Sequence, residues 1–218
     1  MIKILELFSG NADITKEFNS YEGVECKSLD YDVDKPADYH LDAYTLSDDF
    51  LSQFDFIWLS PDCTTYNLAG HGLHRRKGGV PVSDYAKECD ENNRKLVNQL
   101  LRLGIPFIME NPRGFFRHMD FTNGLVRKTV YYSTYGFEYT KPTDLFATSP
   151  HLMTMINTIP SRGKRHLDYV CSSYENFLAR CKMPPMLIRD ICESVLWYLD
   201  NLQEVNYQVV EDYRECSR

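Results

Sequence analysis

Phe54–Leu59, FDFIWL, constrains the fold more than any other segment. It is aromatic, β-branched or aliphatic almost without interruption. That is the composition of a strand buried on both faces, and such strands belong to parallel sheets covered by helices. Ile105–Met109 has the same character, and the apolar runs Ile2–Leu7 and Val24–Leu29 lie earlier in the chain. Between the runs, Asp13–Asn19 and Asp84–Leu103 read as helices. The second sets Leu96, Leu100, Leu101 and Leu103 on its apolar side and stops at Gly104, a helix C-cap residue. Val126–Tyr135 alternates like an edge strand, and Pro185–Leu202 reads as a closing helix. Strands alternating with helices predict an α/β fold with a mostly parallel sheet and helices on both faces. A length of 218 residues predicts one domain over 1–218.

Several function classes are excluded early. No run of eighteen apolar residues exists, which argues against a membrane span. The start MIKILELFSGNAD meets an acid at its sixth residue, unlike a secretory signal. Seven cysteines (26, 63, 89, 171, 181, 192 and 216), none in a C-x-x-C pair, argue against a disulfide framework and a zinc site. They fit a reducing compartment, so the expected location is cytoplasmic and no metal is expected. The net charge of −7 is unevenly spread. Residues 1–63 hold 4 basic and 14 acidic side chains, residues 64–190 hold 18 and 11, and residues 191–218 hold 2 and 6. A basic middle third can face a polyanion while an acidic first third faces something else.

In open α/β sheets, ligands bind beyond the carboxyl ends of the strands. Phe8-Ser9-Gly10 follows the first strand, Asp30 the second, Ser60-Pro61-Asp62-Cys63 the third strong run, and Glu110-Asn111-Pro112 the next. One edge thus collects a small glycine turn, an acid of the kind that grips ribose hydroxyls, a cysteine and a glutamate. Cys63, just past a strand end and a proline, is the best placed of the seven as a nucleophile. Glu110 ends an apolar strand, where a carboxyl is partly buried and can hold a proton. Thr64–Ser83 is long, polar and glycine-bearing, with a basic cluster His74-Arg75-Arg76-Lys77.

Taken in order, these motifs resemble the DNA cytosine-5 methyltransferase family, and especially its compact, phage-type members. Leu7-Phe8-Ser9-Gly10-Asn11-Ala12 is similar to the F-x-G-x-G cofactor loop, and Asp30-Tyr31 to the acid–aromatic pair that holds ribose and adenine. Asp42 stands where the family has an aspartate near the adenine amino group. Ser60-Pro61-Asp62-Cys63-Thr64-Thr65-Tyr66-Asn67 resembles G-x-P-P-C-Q-x-F-S, and Glu110-Asn111-Pro112 resembles E-N-V. Met183-Pro184-Pro185-Met186-Leu187, continuing to Ser194-Val195, resembles the closing cofactor-side motif. Tyr135-Gly136 with Lys141-Pro142-Thr143-Asp144-Leu145-Phe146 looks like the phage-type members.

The resemblance implies a Rossmann-like methyltransferase fold using S-adenosylmethionine. Phe8, Ser9, Gly10, Ala12, Asp30, Tyr31, Asp42, Ser60 and Ser194 would lie on the cofactor side. Residues 1–63 and 181–203 would form that side, and 64–180 the substrate side. Cys63 would add to carbon 6 of a cytosine, Glu110 would meet N3, Asn111 would orient the loop and Pro61 would shape the pocket. The partner would be DNA, with the target base flipped or already single-stranded. Thr64–Gly79 would close over it, and Arg75, Arg76, Lys77, Arg113, Arg127 and Lys141 would meet nucleic acid.

Several positions depart from the family pattern. Ala12 replaces a glycine, Asp62 a proline and Thr64 a glutamine, Cys192-Glu193 replace G-N, and only Arg127-Lys128 offers a counterpart to Q-x-R-x-R. A carboxylate of Asp62 aimed at Cys63 would raise the thiol pKa. The 148–180 stretch, including Ser161–His166, is too short for a separate recognition domain. Sequence preference should therefore be relaxed, very short, or supplied by a protein partner. Two alternatives stay open: a methyltransferase-like binding protein without catalysis, and the same chemistry on RNA or a free nucleotide.

Overall fold

A computed structural model describes residues 1–68, 71–165 and 182–202. Of the 148–180 stretch, residues 166–180 fall outside them, including His166 of the Ser161–His166 run, as do three of the cysteines (171, 181 and 216). The described chain builds strands β1 (Ile2–Leu7), β2 (Val24–Leu29), β3 (Phe56–Leu59), β4 (Phe107–Pro112), β5 (Val126–Tyr131), β6 (Tyr139–Thr140), β7 (Pro142–Ala147) and β8 (Lys164–Arg165). Its α-helices are α1 (Asp13–Phe18), α2 (Asp48–Leu51), α3 (Asp84–Leu103) and α4 (Pro185–Asp200).

Six strands form one sheet in the order β2-β1-β3-β4-β7-β5. β1 pairs in parallel with β2 and β3, and β3 with β4; β7 is antiparallel to both β4 and β5. The small β6–β8 pair stands apart. This is a Rossmann-like α/β arrangement, mostly parallel, and β1 is its switch point. The carboxyl ends of β1 to β4 therefore share one edge.

Alternation along the strands fills two cores. Ile4, Phe56, Trp58 and Ile108 pack with Ile14 and Phe18 of α1 and Leu187 and Ile191 of α4. Leu5, Leu7, Ile57 and Leu59 pack with Leu96, Val97 and Leu100 of α3 on the other face. Helices on both faces explain why these strands read as continuous apolar runs rather than alternating ones. Ser83 caps α3 by accepting the Ala86 N–H at 3.1 Å, and Gly104 ends it with a left-handed φ of 69°.

Several boundaries differ from the sequence reading. β3 begins at Phe56 rather than Phe54, β4 at Phe107 rather than Ile105, and α4 ends at Asp200 rather than Leu202. β4 continues through Glu110 and Asn111 because β7 pairs with it to Pro112, so these residues lie within a strand. The edge strand stops at Tyr131, and Tyr132–Tyr135 turn as a 3-10 segment into Gly136 at φ 87°. β7 itself was not foreseen; it inserts between β4 and the edge. Among the described residues, no helix is long and apolar enough to cross a membrane.

Candidate active site

The turn after β1 is closed by the end of β2. The Ser9 N–H donates to the Leu29 carbonyl at 3.1 Å and the Gly10 N–H to Asp30 Oδ2 at 2.7 Å. Phe8, Gly10 and Ala12 have φ of 59°, 53° and 54°. All three are left-handed, and the Ser9, Gly10 and Ala12 N–H groups are spent on the Leu29 carbonyl, Asp30 and the Ser9 carbonyl. For Phe8 and Ala12 this conformation costs about 1–2 kcal/mol each, strain of a kind that concentrates at functional sites. Position 12, where the resemblance leads one to expect glycine, is left-handed and held by an alanine. Ser9 Oγ is buried with no hydrogen-bond partner. Asp30 Oδ1 accepts the Asp32 N–H at 2.9 Å, and both carboxylate oxygens keep a lone pair for a ligand. Tyr31 is 78% exposed. Asp42 accepts the Tyr44 N–H at 2.9 Å, and the Tyr44 ring lies 5.3 Å from that of Phe8, which brings the Asp42 turn to the β1 turn.

At the end of β3, Ser60 Oγ accepts the Trp58 Nε1–H at 2.8 Å. The buried Pro61 offers its carbonyl to Asn111 Nδ2 at 3.1 Å. That bond joins the cysteine turn to the strand carrying Glu110. Cys63 is half-buried, and its carbonyl accepts the Tyr66 and Asn67 N–H groups at 3.0 and 3.1 Å. Asp62 turns its carboxylate to the Thr64 N–H and hydroxyl (3.1 and 2.7 Å) and to the Tyr85 hydroxyl (2.6 Å).

Burial pushes the Cys63 thiol pKa up; the Glu110 charge adds to this, the Lys141 charge opposes it, and Asp62 adds a smaller upward push. Burial likewise raises the Glu110 carboxyl, with Lys141 opposing and Asp144 adding. Both groups therefore favour their protonated forms, and one ammonium acts against both shifts. Lys141 Nζ lies 4.9 Å from the Tyr132 ring. Lys141, expected on a nucleic-acid surface, is half-buried, and its charge acts to lower the pKa values of both Cys63 and Glu110. The signal was its place in Lys141-Pro142-Thr143-Asp144, directly before β7. Sequence reasoning also missed Arg117, which holds Asp144 through Nε (2.8 Å) and Nη2 (2.5 Å), with Thr129 on the same carboxylate at 2.7 Å. Asn111 Oδ1 and Thr143 Oγ1 are buried without partners.

Two assignments are corrected. Arg75 is fully buried and meets no phosphate. Its Nε donates to the Thr65 carbonyl (2.8 Å), Nη1 to the Gly79 carbonyl (2.9 Å), and Nη1 and Nη2 to Asp90 (3.0 and 2.6 Å), while its guanidinium lies 4.2 Å from the Tyr66 ring centre. A buried guanidinium must be paired on every side, and Arg75 staples the 64–83 loop to α3. Ser194, expected on the cofactor side, is also fully buried, and its hydroxyl accepts the Met155 N–H at 3.0 Å, so it latches α4 to a neighbouring turn. Arg76, Lys77, Arg113 and Arg127 are exposed. No cluster of metal-ligating side chains occurs among the described residues.

No protein-family model and no curated protein matches the chain. Its backbone is similar to those of several solved structures. The Entamoeba histolytica methyltransferase EhMeth is 14% identical, with a TM-score of 0.47 over 78% of this chain and 59% of that one. S. pombe Dnmt2 methyltransferase is 14% identical, with a TM-score of 0.48 over 78% and 60%. A Spodoptera frugiperda DNMT2 mutant is 16% identical, with a TM-score of 0.46 over 76% and 55%. The chain thus spans under two thirds of the length of each.

Proposed function

We propose that the protein transfers a methyl group from S-adenosylmethionine to carbon 5 of a cytosine in DNA. The observation that carries this reading is the Asn111–Pro61 hydrogen bond, which ties the Cys63 turn to the strand of Glu110. A nucleophile and a proton donor on adjacent strand ends are what addition across a pyrimidine ring needs.

The β1 edge fits the cofactor. The orphaned Ser9 hydroxyl, the spare lone pairs of Asp30 and the exposed Tyr31 ring suit a methionine tail, a ribose and an adenine respectively. When bound, S-adenosylmethionine supplies an electrophilic methyl on a sulfonium sulfur. Cys63 Sγ loses its proton to water and, as the thiolate, forms a bond to carbon 6. Glu110 passes its proton to N3, so the ring becomes an enamine nucleophilic at carbon 5 and no charge is left on it. After methylation carbon 5 loses its proton to water, the Cys63 thiolate leaves carbon 6, N3 returns its proton to the Glu110 carboxylate, and the aromatic ring is restored. Lys141 stabilises the thiolate on its way to attack and the carboxylate that remains on Glu110. Arg76 and Lys77 on the loop tip, with Arg113, contact phosphates.

A duplex carrying 5-fluorocytosine tests this, because fluorine at carbon 5 cannot leave as a proton and the adduct persists. The expected result is a cofactor-dependent covalent complex whose mass maps to the Cys63 peptide. A complex on another cysteine, or none under conditions where cofactor binds, would refute the reading.

A further inference from the structure

Helix α3 buries two polar side chains, Asp90 and Asn93, three residues apart and so on one face. A buried amide is costly unless both its ends are paired. Asn93 is paired at both: Nδ2 donates to Tyr66 Oη at 3.0 Å, and Oδ1 accepts from Tyr44 Oη at 3.0 Å. The Tyr66 hydroxyl in turn donates to Asp90 Oδ1 at 2.9 Å, on the carboxylate that holds Arg75. That fixes the orientation of the amide. With its hydrogen spent on Asp90, Tyr66 Oη accepts from Asn93, which leaves Oδ1 for Tyr44.

The two tyrosines belong to opposite halves of the edge. Tyr44 packs on Phe8 and lies within the Ala43–Thr45 turn capped by Asp42. Tyr66 bonds through its N–H to the Cys63 carbonyl at 3.0 Å, and its carbonyl receives the Phe115 N–H at 2.6 Å. One amide therefore stands between the turn assigned to the methyl donor and the turn carrying the nucleophile.

We propose that Asn93 is a positioning residue that holds the Cys63 turn in register with the Phe8–Ala12 turn. Its purpose rests on the methyl-transfer reading; its geometry does not. Two groups acting on one base must be placed together within a fraction of an ångström, and a shift of about 1 Å is worth on the order of 100-fold in rate.

The test is a double-mutant cycle read at Cys63. Tyr44→Phe removes one hydroxyl on the far side of Asn93 from the cysteine. The rate of Cys63 alkylation by iodoacetamide is followed by peptide mass spectrometry in the cofactor-free protein. Tyr44→Phe and Asn93→Leu are each expected to change that rate by about threefold or more, and the double variant is expected to match Asn93→Leu alone. Where Asn93→Leu does not fold, Tyr66→Phe cuts the same link and replaces it. A Tyr44→Phe rate within about 1.5-fold of wild type, or additive effects in the cycle, would overturn the proposal. A second readout separates positioning from plain stability: Tyr44→Phe should lower kcat about tenfold while S-adenosylhomocysteine affinity moves less than about threefold. A wild-type protein inert in methyl transfer would refute the proposed reaction and leave the alkylation cycle to decide the role of Asn93.

Discussion

Glu6→Gln should flatten the pH dependence of stability. Glu6 lies in β1 beneath α1 and is 4% exposed. Its carboxylate accepts the Thr15 N–H at 2.8 Å and the Thr15 hydroxyl at 2.5 Å. The N-cap of helix α1 is Ala12, whose methyl group cannot accept a hydrogen bond, so the sheet supplies the cap. Burial outweighs these hydrogen bonds and lifts the carboxyl from 4.5 to about 7. Because the folded value lies above the unfolded one, its contribution to stability is complete below pH 4.5 and is lost as the pH rises to 7. Between pH 5 and pH 8 the two values give a loss of about 2.5 kcal/mol. Glutamine keeps an acceptor for the Thr15 N–H and does not titrate. Urea unfolding of both proteins at pH 5 and pH 8 isolates the term, since every other titrating group is common to the two. The variant should gain about 2.5 kcal/mol on the wild type across that interval. A change in the gap below about 0.5 kcal/mol, or of opposite sign, would refute the reasoning.

Arg75→Ala should destabilise by about 3–5 kcal/mol, because it strands a buried Asp90 carboxylate; chemical denaturation measures it. Arg76→Ala with Lys77→Ala should change stability by under about 0.5 kcal/mol and reduce the slope of log affinity for DNA against log salt by about 0.9 per charge. At Gly114 an added Cβ would overlap the Tyr66 carbonyl oxygen, so Gly114→Ala should cost about 1–3 kcal/mol and lower kcat more than cofactor affinity. Lys141→Met removes the charge that opposes the raised pKa values of Cys63 and Glu110, so the rate–pH profile of Cys63 alkylation should move to higher pH.

Segments whose local apolar pattern matches their element's period were the most readable in the sequence. β1, β2 and α3 fall at the residues their patterns mark, because local periodicity and burial agree there. β7 escaped notice because Pro142-Thr143-Asp144 has no strand pattern; antiparallel pairing to β4 and β5 makes the strand, and tertiary pairing overrides propensity. The same pairing extends β4 and draws Glu110 into the sheet. The order of motifs along the shared edge was legible because parallel strands align their carboxyl ends. The burial of Arg75 was not, since a run of His, Arg and Lys looks the same in a solvated tip as beside a distant aspartate. Asn93 carries no signal in sequence either: its two partners lie 49 and 27 residues away.

The most direct test of the central claim is transfer of labelled methyl from S-adenosylmethionine to mixed-sequence DNA, with wild type and Cys63→Ala side by side and the product digested to nucleosides. The account predicts label in 5-methylcytosine with the wild type alone. Label in another nucleoside, or equal incorporation by Cys63→Ala, would contradict it.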